Sequence, residues 1–143
     1  MKPIITLFLV LATYTLSIAQ SFHAATFNIR QRNQVDTGNL WVDRKEKVCK
    51  LIKYHEFDVF GVQEAFKDQM DDMQKLLPKY ASIGVGRDDG KEKGEYSAIW
   101  YKKDRFKEIK SGTFWLSETN IETPNKGWDA ALPRICTWAV LED

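Results

Sequence analysis

The chain has 143 residues, of which 43% are hydrophobic and 13% aromatic, a composition typical of one globular domain and not of a disordered or fibrous chain. Its 21 basic and 20 acidic side chains nearly cancel. Because strong nucleic-acid binders carry a basic excess, this balance argues against an extended surface for long DNA. A small phosphorylated substrate needs only local positive charge, so the composition does not exclude one.

The first residues have the three-part pattern of a secretory signal peptide. Lys2 precedes an apolar run from Ile4 to Leu16, and Ser17-Ile18-Ala19 provides the small residues of a cleavage site. The alternatives are a membrane anchor or a buried strand, but the run is shorter than the roughly 20 residues that cross a bilayer as a helix. We therefore predict a signal peptide at 1–19, an exported protein that is periplasmic or extracellular, and a domain from 20 to 143.

The first half of this domain alternates between strand and helix patterns. The predicted elements are a central strand at 22–29 that is buried on both faces, a polar loop at 30–39, an amphipathic helix at 43–55, a short apolar strand at 57–62, and a second helix at 67–77 that Pro78 ends. Such an alternation is typical of an α/β architecture.

The second half contains strand patterns only. They are predicted at 81–85, 96–101, 106–114 and 135–141, separated by a Gly-rich loop at 86–95, a tight turn at 102–105 and a long irregular loop at 117–133. The whole order predicts a layered α/β domain with a mixed sheet. Cys49 falls in a predicted helix and Cys136 in a predicted strand, so two buried thiols are at least as plausible as the disulfide that export would allow.

Two polar residues follow the apolar stretches of predicted strands. They are Asn28 in TFNIR and Glu64 in GVQEA. Ligands collect at the carboxyl ends of strands in α/β sheets, so these side chains face one crevice if their strands are neighbours. One carboxylate with a nearby amide is a sensible partial shell for Mg²⁺. The alternative is a solvent-facing glutamate and an asparagine that caps a turn.

Several segments, in order, resemble the endonuclease/exonuclease/phosphatase family. The opening motifs are TFNIR, NLWVDRKEKV and FDVFGVQEA, and the later segments GRDDG, GEYSAIWY, FWLSE and GWDAALPRICTW resemble its exported bacterial branch. The resemblance covers nearly all of residues 20–143. It implies a divalent-metal-dependent phosphoester hydrolase of the phosphodiesterase, phosphatase or nuclease type. It also implies the N-terminal half of a four-layer α/β/β/α sandwich with a mixed sheet.

The resemblance also implies roles for individual residues. Glu64 would be a ligand of Mg²⁺ or Mn²⁺, and Asn28 would lie beside the metal and the scissile phosphate. Glu95 matches a carboxylate that orients a catalytic histidine, and Arg134 matches an arginine that contacts phosphate.

For three charged residues a structural interpretation competes with a functional one. Glu95 could be a charge at a loop edge, and Arg134 could form a solvated pair with Asp129 or Glu142. Arg44, on the first predicted helix, is better explained by an ion pair or by covering apolar surface with its stem, so it is left outside the site.

Most tryptophans are predicted to be structural. Trp100, Trp115 and Trp138 fall in apolar strands and are expected in the core. Trp128 lies in the long loop and is the one tryptophan predicted to contact substrate.

The later motifs of the family are not found in these residues. They are a GDFN-like pair, a central catalytic histidine and an SDH-like motif, and neither His23 nor His55 matches a catalytic position. We therefore expect a fragment that is inactive alone. The substrate of the parent protein would be a phosphorylated small molecule, a phospholipid or a nucleic acid, with no stable protein partner implied. The alternative function is a non-catalytic exported binding module for a carbohydrate.

Overall fold

The computed structural model describes residues 21–143, so the predicted signal peptide lies outside the described residues. In this part of the chain the elements are β1 (Ala24–Asn28), α1 (Trp41–Tyr54), β2 (Val59–Ala65), α2 (Lys67–Leu76), β3 (Tyr80–Ile83), β4 (Tyr96–Lys102), β5 (Lys107–Trp115) and β6 (Ile135–Glu142). Both predicted helices and all six predicted strands are present. Among the described helices, none has the length and apolar character needed to cross a membrane.

A four-stranded mixed sheet forms the centre of the described structure, with the strand order β1-β2-β4-β3. The pair β1 and β2 is parallel, whereas β4 runs antiparallel to both β2 and β3. The predicted mixed sheet is therefore confirmed. The parallel pair brings the carboxyl ends of β1 and β2 together, as the site prediction requires.

The prediction of β1 as a central strand buried on both faces is wrong for the described residues. β1 lies at the edge of its sheet and pairs with β2 alone. Ala25 and Phe27 pack against the core under the helices, whereas Ala24, Thr26 and Asn28 are exposed on the other face. That face stays open because the second sheet covers the sheet around β4.

The two helices cover one face of the central sheet. The largest buried side chains of the shared core come from both layers; they include Ile52, Met73, Phe60, Val62 and Trp100. α1 begins at Trp41, two residues before the predicted start, and α2 occupies its predicted place before Pro78.

A two-stranded antiparallel sheet of β5 and β6 lies against the opposite face. Ala139 and Leu141 of β6 pack against a small core formed by Ile83, Tyr101 and Phe106. The described residues thus form three layers, helices on a mixed sheet on a second sheet, which confirms the predicted layered α/β class.

Both cysteines are free in the structure. Cys49 is buried as predicted, and burial raises its pKa to about 11, whereas Cys136 is exposed because its side chain lies on the open face of β6. The prediction of two buried thiols is therefore wrong for Cys136.

Candidate functional site

Asn28 and Glu64 lie side by side at the carboxyl ends of the parallel strands β1 and β2. The register places Asn28 opposite Gln63, and the Asn28 Nδ2 group donates a 2.8 Å hydrogen bond to Glu64 Oε1. The prediction that both residues face one crevice is confirmed. Their roles as metal ligands remain predictions.

The backbone at Glu64 departs from regular strand geometry. β2 does not end at Val62 as predicted but continues to Ala65, with a register shift between these two residues. Glu64 has a φ of 62°, a left-handed conformation that costs a non-glycine residue energy and often marks functional sites. The bulge turns the Glu64 side chain toward the crevice where β1 ends.

Glu64 is held in its ionised form mainly by neutral donors. The hydrogen bond from Asn28 lowers the pKa of Glu64 most, against the opposing effect of burial, and the Gln31 backbone N–H adds a 3.2 Å bond to Oε2. The charges of Arg30 and Arg87 lower this pKa further. Sequence reasoning missed Gln31, because its contribution is a backbone N–H that any residue could provide.

The loop that carries Gln31 is fixed from behind by Arg44. The guanidinium donates hydrogen bonds to the carbonyl oxygens of Ile29, Arg30 and Asn39, and it lies 5.1 Å from the centroid of the Trp41 ring. Arg44 is therefore structural as predicted, but among the described residues it acts through carbonyl groups and the Trp41 ring and not through the predicted ion pair or stem contact.

A cleft of about 350 Å³ opens beside Glu64. It brings together residues that are far apart in the sequence; among them are Asn28, Glu64, Arg87, Glu95, Leu116 and Arg134. Four of the five predicted site residues thus line one cleft, which no single sequence motif could show.

Glu95 is paired with an arginine that sequence reasoning did not single out. Arg87 Nη1 lies 2.7 Å from Glu95 Oε2, both side chains are largely buried, and the Arg87 backbone N–H donates to the Glu95 carbonyl. The alternative of a solvated loop-edge charge is therefore excluded for Glu95. The sequence did contain a hint of this pair, because Arg87 in GRDDG lies only eight residues before Glu95.

The loop between Arg87 and Glu95 is tightly folded. Asp89 Oδ1 accepts hydrogen bonds from the backbone N–H groups of Lys91 and Lys93. Gly94 has a φ of 82°, a left-handed conformation that favours glycine, and a Cβ there would displace the Asp88 side chain. This loop brings Arg87 and Glu95 together in the wall of the cleft.

Arg134 lines the cleft from the start of β6. Its side chain is exposed, and within residues 21–143 it forms an ion pair with neither Asp129 nor Glu142. Its backbone carbonyl accepts a hydrogen bond from Leu116 N–H, which ties this wall of the cleft together. The guanidinium thus remains available to an anion.

Trp128 does not line the cleft itself. Its side chain is 70% exposed and its φ is 50°, and its backbone N–H donates to Glu118 Oε2 at 2.8 Å. The preceding Gly127 packs so tightly against the backbone of Leu116 and Ser117 that a Cβ would not fit. Leu116 lines the cleft, so Gly127, the residue before Trp128, packs against the backbone of a cleft-lining residue.

The two histidines lie at the other end of the sheet. His23 precedes β1, and its Nδ1 atom lies 3.3 Å from the carbonyl oxygen of His55, which follows α1. Neither lines the cleft.

The donors around Glu64 suit a hard cation. In the described part of the chain no three residues of the types His, Cys, Asp and Glu cluster as a metal cage. Mg²⁺ is usually held by one or two carboxylates together with water and substrate phosphate oxygens, so Glu64 with the adjacent amide fits it as a partial shell. A soft metal would require thiolate or imidazole ligands, which this cleft does not offer.

Comparison with solved structures identifies the family. A mannosyl-6-phosphatase from Bacteroides thetaiotaomicron is 48% identical with a TM-score of 0.83, and the match covers 85% of this chain and 46% of that one. An endonuclease/exonuclease/phosphatase from Bacteroides vulgatus gives 48% identity and a TM-score of 0.83, covering 85% and 47%. Over its matched residues, this chain belongs to the endonuclease/exonuclease/phosphatase family.

The chain spans slightly less than half the length of these relatives, in keeping with the expected N-terminal half of the fold. ANGEL2, a 2',3'-cyclic phosphatase, is 16% identical with a TM-score of 0.59 over 85% of this chain and 36% of its own, which shows the shared fold alone. No protein-family model and no curated protein matches the chain.

Proposed function

We propose that the cleft beside Glu64 is part of a divalent-metal-dependent phosphoester hydrolase. The observation that carries this proposal is the geometry of Glu64, an ionised carboxylate fixed by Asn28 and Gln31 at the carboxyl end of a strand. Membership in a phosphoesterase family supports the reaction class. Mg²⁺ or Mn²⁺ is the proposed cofactor.

Each side chain of the cleft then has a distinct task. Glu64 holds the cation, with Asn28 fixing its carboxylate, and Arg134 binds an oxygen of the substrate phosphate. The cation, when bound, neutralises negative charge on the phosphoryl group. Glu95, held by Arg87, is positioned to accept a hydrogen bond from a histidine of the complete site.

We further propose that residues 21–143 do not hydrolyse phosphoesters alone. The resemblance assigns the catalytic histidine and the GDFN-like and SDH-like motifs to sequence that these residues do not contain. A hybrid enzyme tests both statements, with residues 21–143 replacing the matching segment of the Bacteroides thetaiotaomicron mannosyl-6-phosphatase.

The hybrid should hydrolyse the substrate of that enzyme in a metal-dependent manner, whereas the isolated chain should not. Glu64→Ala in the hybrid should lower kcat/KM about a thousandfold, because several kcal/mol of charge stabilisation depend on the cation. Glu122→Ala, an exposed loop carboxylate, is the control and should change little. Full activity of the Glu64→Ala hybrid would refute the proposed metal role, and turnover by the isolated chain would refute its inactivity.

Among phosphorylated small molecules, phospholipids and nucleic acids, we propose a phosphorylated sugar as the substrate. A relative named as a mannosyl-6-phosphatase supports this, as does Trp128, because an exposed indole can stack on a sugar ring. In the hybrid, Trp128→Ala should raise KM about fivefold to tenfold while kcat changes little. Tyr54→Ala, which removes another exposed aromatic ring, should leave KM unchanged.

The second candidate function is a non-catalytic carbohydrate-binding module, which the exposure of Trp128 favours. It predicts the reverse pattern: Trp128→Ala abolishes sugar binding by the isolated chain, and Glu64→Ala has no effect on any property of the hybrid. The pair of variants therefore separates the two functions.

Export is also proposed, from the signal-peptide pattern of residues 1–19. When the chain is expressed in a bacterium, the exported protein should begin at Gln20. An intact Met1 in the recovered protein would contradict this.

A further inference from the structure

Gln69 occupies an unusual place for an uncharged polar side chain. It is the third residue of α2 and has no exposed surface. Among the described residues, the other buried polar residues are Asp58 and Ser117. Burying an amide costs free energy unless its donors and acceptor form hydrogen bonds. The partners of Gln69 therefore indicate its role.

Those hydrogen bonds reach beyond its own helix. Gln69 Oε1 accepts from the backbone N–H of Phe66 at 3.1 Å, the usual bond of a glutamine that caps a helix start. The same oxygen accepts from Arg32 N–H at 2.9 Å, and Nε2 donates to the Arg30 carbonyl at 3.0 Å. Two of the three bonds therefore hold the loop that follows β1.

The two clamped residues flank Gln31, whose backbone N–H donates to Glu64 Oε2. Arg30 is also bound to the site on its other side, because its N–H donates to Asn28 Oδ1 at 2.8 Å while Asn28 Nδ2 binds Glu64 Oε1. Both carboxylate oxygens of Glu64 are thus oriented by groups attached to the segment that Gln69 fixes.

We propose that Gln69 is a positioning residue for Glu64: it fixes residues 30–32 from beneath and so sets the orientation of the carboxylate that holds the divalent cation. This rests on the metal role proposed for Glu64. Groups hydrogen-bonded directly to a metal ligand typically change metal affinity tenfold to a hundredfold when they are removed, and because Gln69 acts through residues 30–32, we expect the low end of this range. A glutamine that served only α2 would affect stability without affecting the metal.

The test measures Mn²⁺ binding and amide hydrogen exchange on the folded chain. Gln69→Met keeps the side-chain length and removes all three hydrogen bonds. It should weaken Mn²⁺ binding about tenfold and speed exchange of the Gln31 and Arg32 amides about tenfold. Unchanged Mn²⁺ binding would overturn the proposal, and unchanged exchange would show that Gln69 does not hold the loop.

Two control variants of α2 separate positioning from loss of stability. Gln74→Met removes a glutamine that donates to the Tyr80 carbonyl instead of the loop, and Met73→Ala opens a cavity in the fully buried core. Both should leave Mn²⁺ affinity and Gln31 exchange within twofold of the wild type. If either weakens Mn²⁺ binding as much as Gln69→Met does, the effect is general destabilisation and the proposal fails.

Gln69→Glu keeps the test decisive if Gln69→Met does not fold. It retains an acceptor for Phe66 and Arg32, but its second oxygen cannot donate to the Arg30 carbonyl and repels it when ionised, so a loss of Mn²⁺ affinity of about threefold is expected. Wild-type affinity in this variant would overturn the proposal.

The metal role of Glu64 is checked separately with Glu64→Gln. If the wild-type chain binds no Mn²⁺, or Glu64→Gln binds it equally well, the proposed function fails. The exchange rates of Gln31 and Arg32 then still decide whether Gln69 positions the loop.

Discussion

Two carboxylates at opposite ends of β2 show how the same charge can serve structure or function. Asp58 precedes the strand and Glu64 lies near its end. Burial would raise the pKa of Asp58, yet hydrogen bonds from Lys102 and the His23 N–H, with the charges of Lys102 and Arg105, hold it below its usual value. Glu64 has a lowered pKa too, but the largest cause is the neutral amide of Asn28.

The difference lies in how each negative charge is compensated. Lys102 Nζ and Arg105 Nη1 lie 2.8 and 3.1 Å from the Asp58 oxygens, so that charge is neutralised within the chain. The two arginines that act on Glu64 are each paired with another carboxylate, Arg30 with Asp36 and Arg87 with Glu95. The charge of Glu64 therefore remains available to a cation from solution.

The largest predicted effect comes from removing the negative charge of Asp58. Asp58→Asn removes the carboxylate partner of Lys102 and one of the two carboxylates bound to Arg105, which keeps Asp143, and it should lower the free energy of unfolding by about 3 kcal/mol. Urea unfolding measures this, with the exposed Asp104→Asn as the control of equal charge change. Mn²⁺ binding by folded Asp58→Asn should equal that of the wild type. A loss of binding would contradict the assignment of a purely structural role to Asp58.

A smaller effect should follow when Arg87 loses its partner. Glu95→Gln removes the carboxylate that compensates Arg87, so the guanidinium acts more strongly on Glu64 and competes with the cation. Mn²⁺ affinity should fall about fivefold. The exposed Glu122→Gln, measured by the same titration, should show no change. Unaltered Mn²⁺ affinity in Glu95→Gln would contradict the claim that the charge of Arg87 competes with a cation at Glu64.

The smallest predicted effect is a change in the pH dependence of stability. Both carboxyls have folded-state pKa values below their ordinary values of 3.8 and 4.5, so the stability they contribute is present above those values and is lost as the pH falls through the folded-state pKa. The free energy of unfolding should therefore decline below about pH 4. The decline should be shallower in Asp58→Asn and in Glu64→Gln, and unaltered slopes would show that neither pKa is lowered.

The parts of the fold that depend on local pattern were predictable from the sequence. α1 and α2 follow from their helical spacing and from Pro78, and the polar strand ends place Asn28 and Glu64 in one crevice on the condition that β1 and β2 are neighbours. The edge position of β1 was not predictable, because strand order depends on pairing between distant segments.

Most details of the site lay beyond the sequence for related reasons. The continuation of β2 through Glu64 depends on a bulge with left-handed geometry, which an apolar pattern does not encode. Arg87 and Gln69 looked like ordinary polar residues of a loop and a helix start. Their burial and their partners appear only when the loops are folded against the sheet.

The most direct test of the central claim is a titration of the folded chain with Mn²⁺, and with Mg²⁺ as competitor, for the wild type and Glu64→Gln. If Glu64 is the uncompensated carboxylate that holds the cation, the wild type binds one ion that Mg²⁺ displaces, and Glu64→Gln binds it at least tenfold more weakly. Equal binding by the two proteins, or no binding by the wild type, would contradict the assignment of Glu64 as the metal ligand.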